Sequence, residues 1–332
     1  MHGLVIRNTG YSYTVKSDAG DVFECKVKGN FRIRGIRTTN PVAIGDKVEF
    51  TPQDVDSDIE QARQGLITAL DDRKNYIIRK STNLSKQSHI IAANVDVCFL
   101  IVTVTHPETP LQFIDRFLAS AEAYRVPVTL VFNKIDLATA ADDDESIDWK
   151  EYLDGVINLY ETIGYPCRKI SAKTGEGIEE LRKELDGKVV CLSGNSGVGK
   201  STLINALFPS LDLKTNEISD AYNTGKHTTT FSEMYPIPSV DNSPEAKQGY
   251  IIDTPGIKGF GTFDMKREEI GHYFREIFHF SSECRFNNCT HTHEPHCAVR
   301  EALERHDISE SRYNSYLSML EDEKEDKYRA AF

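Results

Sequence analysis

The pattern of apolar and polar positions divides the chain into three stretches. Over residues 1 to about 70, apolar and polar residues alternate in short runs, as in Tyr11–Val15, Val22–Val27 and Lys47–Phe50, separated by Gly20, Gly29 and Gly45-Asp46. A period of two with frequent turn residues predicts short strands, and strands at this spacing suit a small barrel. From about residue 71 the period changes. Val97–Val104 and Val128–Phe132 are near-continuous apolar runs, as parallel strands buried on both faces require. Between them Leu111, Ile114, Phe117, Leu118 and Ala121 recur at helical spacing. Further strands are expected at 188–192 and 250–252, with a short one at 168–170. Strands alternating with helices predict a doubly wound parallel sheet. Residues 237–249, rich in Pro, Ser, Asn and Asp, predict an exposed loop before the last strand. Beyond about residue 263 the strand pattern stops and the segment is charged and helical in period. The expected domains are therefore 1–70, 71–262 and 263–332.

Composition narrows the class. The chain has 332 residues, 39% hydrophobic and 27% charged, enough for two or three domains with buried cores. The Val97–Val104 run is too short to cross a bilayer, and MHGLVIRNTG lacks the long apolar core of a signal peptide. A cytoplasmic protein with reduced thiols is expected, working as a monomer away from membranes. Seven cysteines make a poor disulfide framework. Cys98 and Cys191 fall inside apolar strands and read as small core residues, while Cys25 and Cys167 carry no spacing signal. A net charge of −12 argues against nonspecific coating of nucleic acid. The charge is uneven, however. Residues 26–37 hold Lys26, Lys28, Arg32, Arg34 and Arg37 without an acid, while acids gather at Asp142–Glu145 and Glu321–Asp326. Such a basic stretch can meet phosphates, although a barrel with no ligand fits the composition equally.

Candidate chemistry begins at residues 194–201, GNSGVGKS. This is the phosphate-loop pattern G-x-x-x-x-G-K-S, between a predicted strand and a predicted helix. Gly194, Gly197 and Gly199 let the backbone wrap a phosphate, and the amides of Asn195, Ser196, Val198 and Thr202 belong to the same turn and helix start. Lys200 would reach the β- and γ-phosphates, and Ser201 would ligate Mg²⁺. Asp253-Thr254-Pro255-Gly256 follows the 250–252 strand; Asp253 suits a water-mediated Mg²⁺ contact and the Gly256 amide a γ-phosphate sensor. Between them lies Gly225-Lys226-His227-Thr228-Thr229-Thr230, where Thr229 is expected to complete the Mg²⁺ shell. Upstream, Asn133-Lys134-Ile135-Asp136 follows the 128–132 strand. The Asp136 carboxylate can accept two hydrogen bonds from guanine N1–H and the 2-amino group, which adenine does not offer. Asn133 would brace the loop and Lys134 would cover the base. Ser171-Ala172-Lys173 follows the 168–170 strand, and the Ala172 amide would meet the guanine carbonyl.

A second cluster spans 284–297, CRFNNCTHTHEPHC. Cys284, Cys289 and Cys297 with one histidine make a Cys₃His set, the mixture zinc takes in closed structural sites. His291, His293 and His296 compete for the fourth position.

The base-reading elements precede the phosphate loop, whereas GTPases usually begin with it. Joining the old ends and cutting elsewhere gives this order without disturbing the folded site, because domain termini tend to lie close together. On these elements, their order and the cysteine cluster, the chain resembles the ribosome small-subunit-dependent, circularly permuted GTPases over its whole length. The resemblance implies a multidomain α/β protein with an N-terminal oligonucleotide-binding-fold barrel, a circularly permuted P-loop GTPase domain and a C-terminal helical zinc-binding domain. It implies GTP/GDP with Mg²⁺, one structural Zn²⁺ and His291 as the fourth ligand. It also implies a late role in small (30S) ribosomal subunit assembly, with hydrolysis stimulated by the subunit and with rRNA met by the Lys26–Arg37 stretch. Family members carry a hydrophobic residue where many GTPases place a water-orienting Gln; here it is Ile257. His227 is then the candidate catalytic group beside Lys200, as the matching histidine is proposed for relatives. The permutation sends Asp253–Gly256 straight into the C-terminal segment, so a nucleotide-driven shift there is expected to move the zinc domain. Two other readings remain at this stage: a GTP-gated RNA-binding protein whose hydrolysis is incidental, and an ATP-using P-loop protein in which NKID is accidental.

Overall fold

The computed structural model describes residues 1–27, 41–53, 63–80, 88–138, 148–209, 232–239, 247–253 and 265–329. Of the residues singled out above, Lys28, Arg32, Arg34, Arg37, Asp142–Glu145, the 225–230 loop with His227 and Thr229, and 254–257 with Gly256 and Ile257 lie outside these.

The alternating N-terminal stretch forms β1 (His2–Asn8), β2 (Tyr13–Ser17), β3 (Val22–Val27), β4 (Lys47–Gln53) and β5 (Arg63–Leu70). They pair in the order β1-β2-β3-β5-β4 and close through β4 on β1, with β3 and β5 parallel. Closure leaves the barrel without an unpaired edge. Alternate residues turn inward, so that Val5, Tyr13, Val15, Phe23, Val48, Phe50 and Ile67 fill the interior. Cys25, which carried no spacing signal, is one of these interior residues, and burial pushes its thiol up to about 12. A two-stranded antiparallel hairpin of β6 (Tyr76–Lys80) and β7 (Ser88–Ala93) follows, where helices and parallel strands were expected. It ties the barrel to the next domain: the Ala93 amide donates to Ile44 O at 2.9 Å, and Arg73 forms a buried ion pair with Asp46.

The central unit contains β8 (Val97–Val102), α1 (Leu111–Ala123), β9 (Val128–Phe132), α2 (Ile135–Ala138) and α3 (Trp149–Ile163). It continues with β10 (Cys167–Lys169), α4 (Ile178–Leu185), β11 (Val189–Ser193), α5 (Lys200–Leu207), β12 (Ser232–Ile237) and β13 (Gly249–Asp253). The strand order is β10-β9-β8-β11-β13-β12. Side chains from β8 alternate between two cores. Cys98, Leu100 and Val102 pack with α1 and α3, and Val97, Phe99 and Ile101 with α4 and α5. Burial on both faces is why this strand reads as a continuous apolar run. The sheet is parallel except at β12, which runs antiparallel to β13. β12 then pairs with β1 of the barrel, Arg7 opposite Glu233 and Asn8 opposite Ser232, so that one eleven-stranded sheet runs through both domains.

The C-terminal segment is helical, as its period predicts: a 3-10 turn (Ile270–Tyr273), α6 (Arg275–Ser281), α7 (Ala298–Glu304) and α8 (Glu310–Arg329). Phe274, Ile277, Val299, Ala302, Tyr316 and Met319 form its core, joined by Ala119 of α1. It docks on α1 and α3. Arg312 of α8 meets the fully buried Asp115 of α1 at 2.8 Å. Arg275 of α6 donates to Glu122 at 2.7 Å and to Gly164 O at 2.6 Å, with its guanidinium 3.9 Å from the Tyr165 ring centroid.

Candidate functional site

The sheet order brings the ends of β9, β10, β11 and β13 to one edge, where loops collect in open α/β sheets. After β11 the chain turns through residues 194–199 into α5. Gly194 adopts φ 147°, and a Cβ there would overlap Ile101 O. Gly199 adopts φ 93°, and a Cβ there would lie 2.5 Å from Asn133 Nδ2. Both positions need glycine for conformation and for close approach. Lys200 opens α5 and is buried; its ammonium donates to Gly194 O at 2.7 Å and Asn195 O at 2.6 Å, arching back across the loop. Ser201 and Thr202 follow in the first turn, where helix amides lack intrahelical partners.

The separate segments converge here. Asn133, at the end of β9 and nearly fully buried, donates from Nδ2 to Val198 O at 2.8 Å. Its Oδ1 accepts from the Ala172 amide at 3.0 Å. One side chain therefore joins the phosphate loop to the loop after β10. Lys134 donates to Gly197 O at 2.7 Å. Ser171 Oγ donates to Asp136 Oδ1 at 2.6 Å and accepts from the Thr174 amide at 3.1 Å, which holds the carboxylate beside the 171–174 turn. The Ala172 amide, expected to face a guanine carbonyl, is taken by Asn133 in this structure. Asp253 closes β13, two strands' width from β8 and next to β11. Residues 133–136, 171–172, 194–202 and 253 thus lie at one sheet edge, while His227, Thr229 and Gly256 belong to segments outside the described residues.

Sequence reasoning missed the loop after β8. Thr103, Thr105 and Thr109 are buried there, and His106 O accepts from the Lys134 ammonium at 2.5 Å. The run TVTHPETP reads as an ordinary turn, and its only hint is three threonines on alternate or nearby positions at a strand end.

The second site lies between α6 and α7. The ligand atoms of Cys284, Cys289, His291 and Cys297 all fall within 4.8 Å of one another. Cys284 Sγ lies 3.6 Å and Cys297 Sγ 3.5 Å from His291 Nδ1, and the two sulfurs are 4.0 Å apart. Tetrahedral zinc with sulfur at about 2.3 Å and nitrogen at about 2.0 Å sets edges of about 3.5–3.8 Å, so the donor set fits. Burial, with Cys297 and Cys284 close by, pushes the Cys289 thiol up to about 12; several ionised sulfurs here need a cation among them. His293 and His296 are exposed and outside the group. Tyr313 Oη donates to His291 O at 2.6 Å and Tyr316 Oη to Thr290 O at 2.7 Å, anchoring the ligand loop to α8. Four protein ligands leave no open position, so the site can fold a domain but offers no place for a substrate.

Fold and site together define a circularly permuted P-loop GTPase with a closed five-stranded barrel before it and a Cys₃His helical module after it. The profile described as RsgA GTPase matches residues 70–263 and that described as RsgA N-terminal domain matches residues 2–59, and the chain belongs to the RsgA GTPase family. It is 62% identical to "Small ribosomal subunit biogenesis GTPase RsgA" of Bacteroides fragilis over all 332 residues of both chains. The protein of the same name from Flavobacterium johnsoniae is 51% identical over 98% of this chain and 94% of that one. Among solved structures, YjeQ from Thermotoga maritima superposes with a TM-score of 0.71 at 35% identity, covering 97% of each chain. "YloQ, a circularly permuted GTPase" gives 0.70 at 25% identity over 98% of this chain and 95% of that one. As a member of a GTPase family the chain hydrolyses GTP, with guanine nucleotide and Mg²⁺ implied by that membership. Among the described residues no helix is long and apolar enough to cross a membrane.

Proposed function

We propose that this chain is a late assembly factor of the small (30S) ribosomal subunit whose GTP hydrolysis the subunit stimulates. The observation that carries the reading is the Asn133 bridge, which joins the base-side loops to the phosphate loop in a single site. The relatives' printed names supply the partner. In this reading Asp136 grips the guanine edge, Lys134 covers the base, and the Ala172 amide exchanges Asn133 for the guanine carbonyl. Residues 194–202 cradle the phosphates, with Lys200 turning from loop carbonyls to the β- and γ-oxygens. Ser201 and Thr229 would hold Mg²⁺, with Asp253 reaching it through water, and the ion would neutralise charge on the β- and γ-phosphates. His227 orients the attacking water in place of the glutamine that Ile257 displaces, and the Gly256 amide senses the γ-phosphate.

The remaining assignments follow the same reading. Residues 1–70, 71–262 and 263–332 act as three domains. Cys284, Cys289, His291 and Cys297 hold a structural Zn²⁺. The barrel and zinc domain touch rRNA, and the protein works as a cytoplasmic monomer. The test is GTP turnover with and without purified small subunits. Turnover rises strongly on adding them; a flat response leaves a GTP-gated RNA-binding protein whose hydrolysis is incidental. In the same assay Asp136→Asn loses stimulated GTP turnover and regains it with xanthosine triphosphate, whose 2-carbonyl accepts from the new carboxamide. Unchanged GTP use by that variant removes Asp136 from the base site.

A further inference from the structure

The loop between β8 and α1 is braced by hydrogen bonds among its own residues. The Thr103 amide donates to Thr109 Oγ1 at 3.1 Å, and the Thr109 amide returns a bond to Thr103 O at 2.8 Å. Thr103 Oγ1 donates to Pro107 O. Thr105 Oγ1 pairs with His106 Nδ1 at 2.6 Å. Both threonines of the clasp are almost wholly buried, although the tip they close, residues 106–108, is exposed. A polar clasp kept dry under a solvent-exposed tip fixes the tip's backbone.

What the clasp presents is specific. His106 adopts φ 46° and Lys134 φ 62°, both in the left-handed region that non-glycine residues seldom occupy. The two meet directly, for the Lys134 ammonium donates to His106 O at 2.5 Å while also donating to Gly197 O at 2.7 Å. Pro107 lies over the same stretch of the phosphate loop, since a Cβ on Gly197 would come within 3.3 Å of its Cδ. One ammonium therefore spans two loops, and its reach is set by where the clasp puts the His106 carbonyl.

We propose that the threonine clasp of residues 103–109 is a positioning element of the guanine-nucleotide site, with Thr109 and Thr103 acting through Lys134. It holds the lysine's long, otherwise mobile side chain against the phosphate loop before nucleotide arrives, which lowers the ordering cost of binding. The proposal rests on the reading of 133–136 as the base side of that site.

A double-mutant cycle on the full-length protein tests it, read by release of fluorescent GDP and by steady-state GTP turnover. Lys134→Ala speeds GDP release. Thr109→Val, which keeps the shape and removes the acceptor of a buried N–H, speeds release about five- to tenfold. It raises KM with kcat changed less than twofold, because the clasp touches no reacting atom. Thr109→Ser restores release to near the parent rate. In the Lys134→Ala background Thr109→Val adds nothing further. If the two effects multiply instead, or if Thr109→Val releases GDP at the parent rate, the proposal fails. If Lys134→Ala itself leaves release unchanged, the base-site reading fails instead. Should Thr109→Val lose its native melting transition, Thr103→Val, which deletes the bond to Pro107 O, carries the same cycle to the same two outcomes.

Discussion

At the scale of single residues Arg312 is a costly commitment. Its guanidinium is 1% exposed and meets two carboxylates, Asp115 at 2.8 Å and Glu276 at 2.6 Å. Asp115 is fully buried and also accepts from Tyr160 Oη at 2.7 Å and Ser315 Oγ at 2.6 Å. Burial alone would make Arg312 easier to deprotonate, but Asp115 and Glu276 outweigh it and hold the guanidinium firmly charged. Burial, reinforced by Asp115, pushes the Tyr160 hydroxyl far above its ordinary value, so it serves as a donor throughout the working pH range. A buried pair adds little net stability when intact, but removing one partner strands the other. Arg312→Met is therefore expected to destabilise the protein by about 3–5 kcal/mol in urea unfolding, with Asp115→Asn recovering part of the loss. Additive losses in the double variant would show that the two residues do not act as a pair. Nothing in SRYNSYL announces this role. The arginine's partners are 197 and 36 residues away, and a charged residue at a helical position normally faces solvent.

At the scale of elements, legibility followed burial. β8, β9, β11 and β13 show in the sequence because a strand covered on both faces leaves an apolar run, and α1 because its buried face recurs at helical spacing. The phosphate loop and the cysteine cluster were legible because their chemistry fixes residue type and spacing together. Two things were not. β12 reads SEMYPI, a mixed run with Pro236 inside it, and neither its antiparallel direction nor its pairing with β1 leaves any local trace. The 103–109 clasp pairs threonine hydroxyls with main-chain groups of the same loop, an arrangement that three threonines near a strand end do not by themselves spell out. The β12–β1 seam carries a consequence for signalling. Ser232, the first residue of β12, comes two positions after the threonine loop, and it faces Asn8 at the end of the barrel's first strand. Among the described residues the seam has two residue pairs, few enough to yield to a small shift. Hydrogen exchange compared between GDP and a non-hydrolysable GTP analogue is expected to change protection at residues 7–8 and 232–233 together. A change confined to 232–233 would mean that the barrel does not follow β12.

At the scale of the whole molecule the two flanking modules grip different elements of the nucleotide unit. The barrel joins through β12, beside the strand that ends in Asp253, and through the β6–β7 hairpin, while the C-terminal module rests on α1 and α3. The sequence order suggests that the Asp253–Gly256 junction moves the zinc domain. The described contacts of that domain lie elsewhere, on the helix that follows the threonine clasp and at the end of α3. Metal removal separates these possibilities. A Cys₃His zinc site supplies on the order of 10 kcal/mol, more than a core as small as Phe274, Ile277, Val299 and Tyr316 is expected to hold alone. Chelation, or Cys297→Ser, should therefore expose residues 265–329 to protease. The two cores of the central sheet lie outside that module and should survive. GTP binding then persists, but not unchanged. Loss of Arg312 strands Asp115 inside α1, six residues beyond Thr109, so the clasp should loosen and GDP should leave faster. Protease resistance over 265–329 after complete chelation would remove the metal as the module's organiser. Full unfolding of that module with GDP release unaltered would sever it from the base side, and leave the barrel's contacts, at the β12 seam and the β6–β7 hairpin, to carry the nucleotide's state to a flanking module.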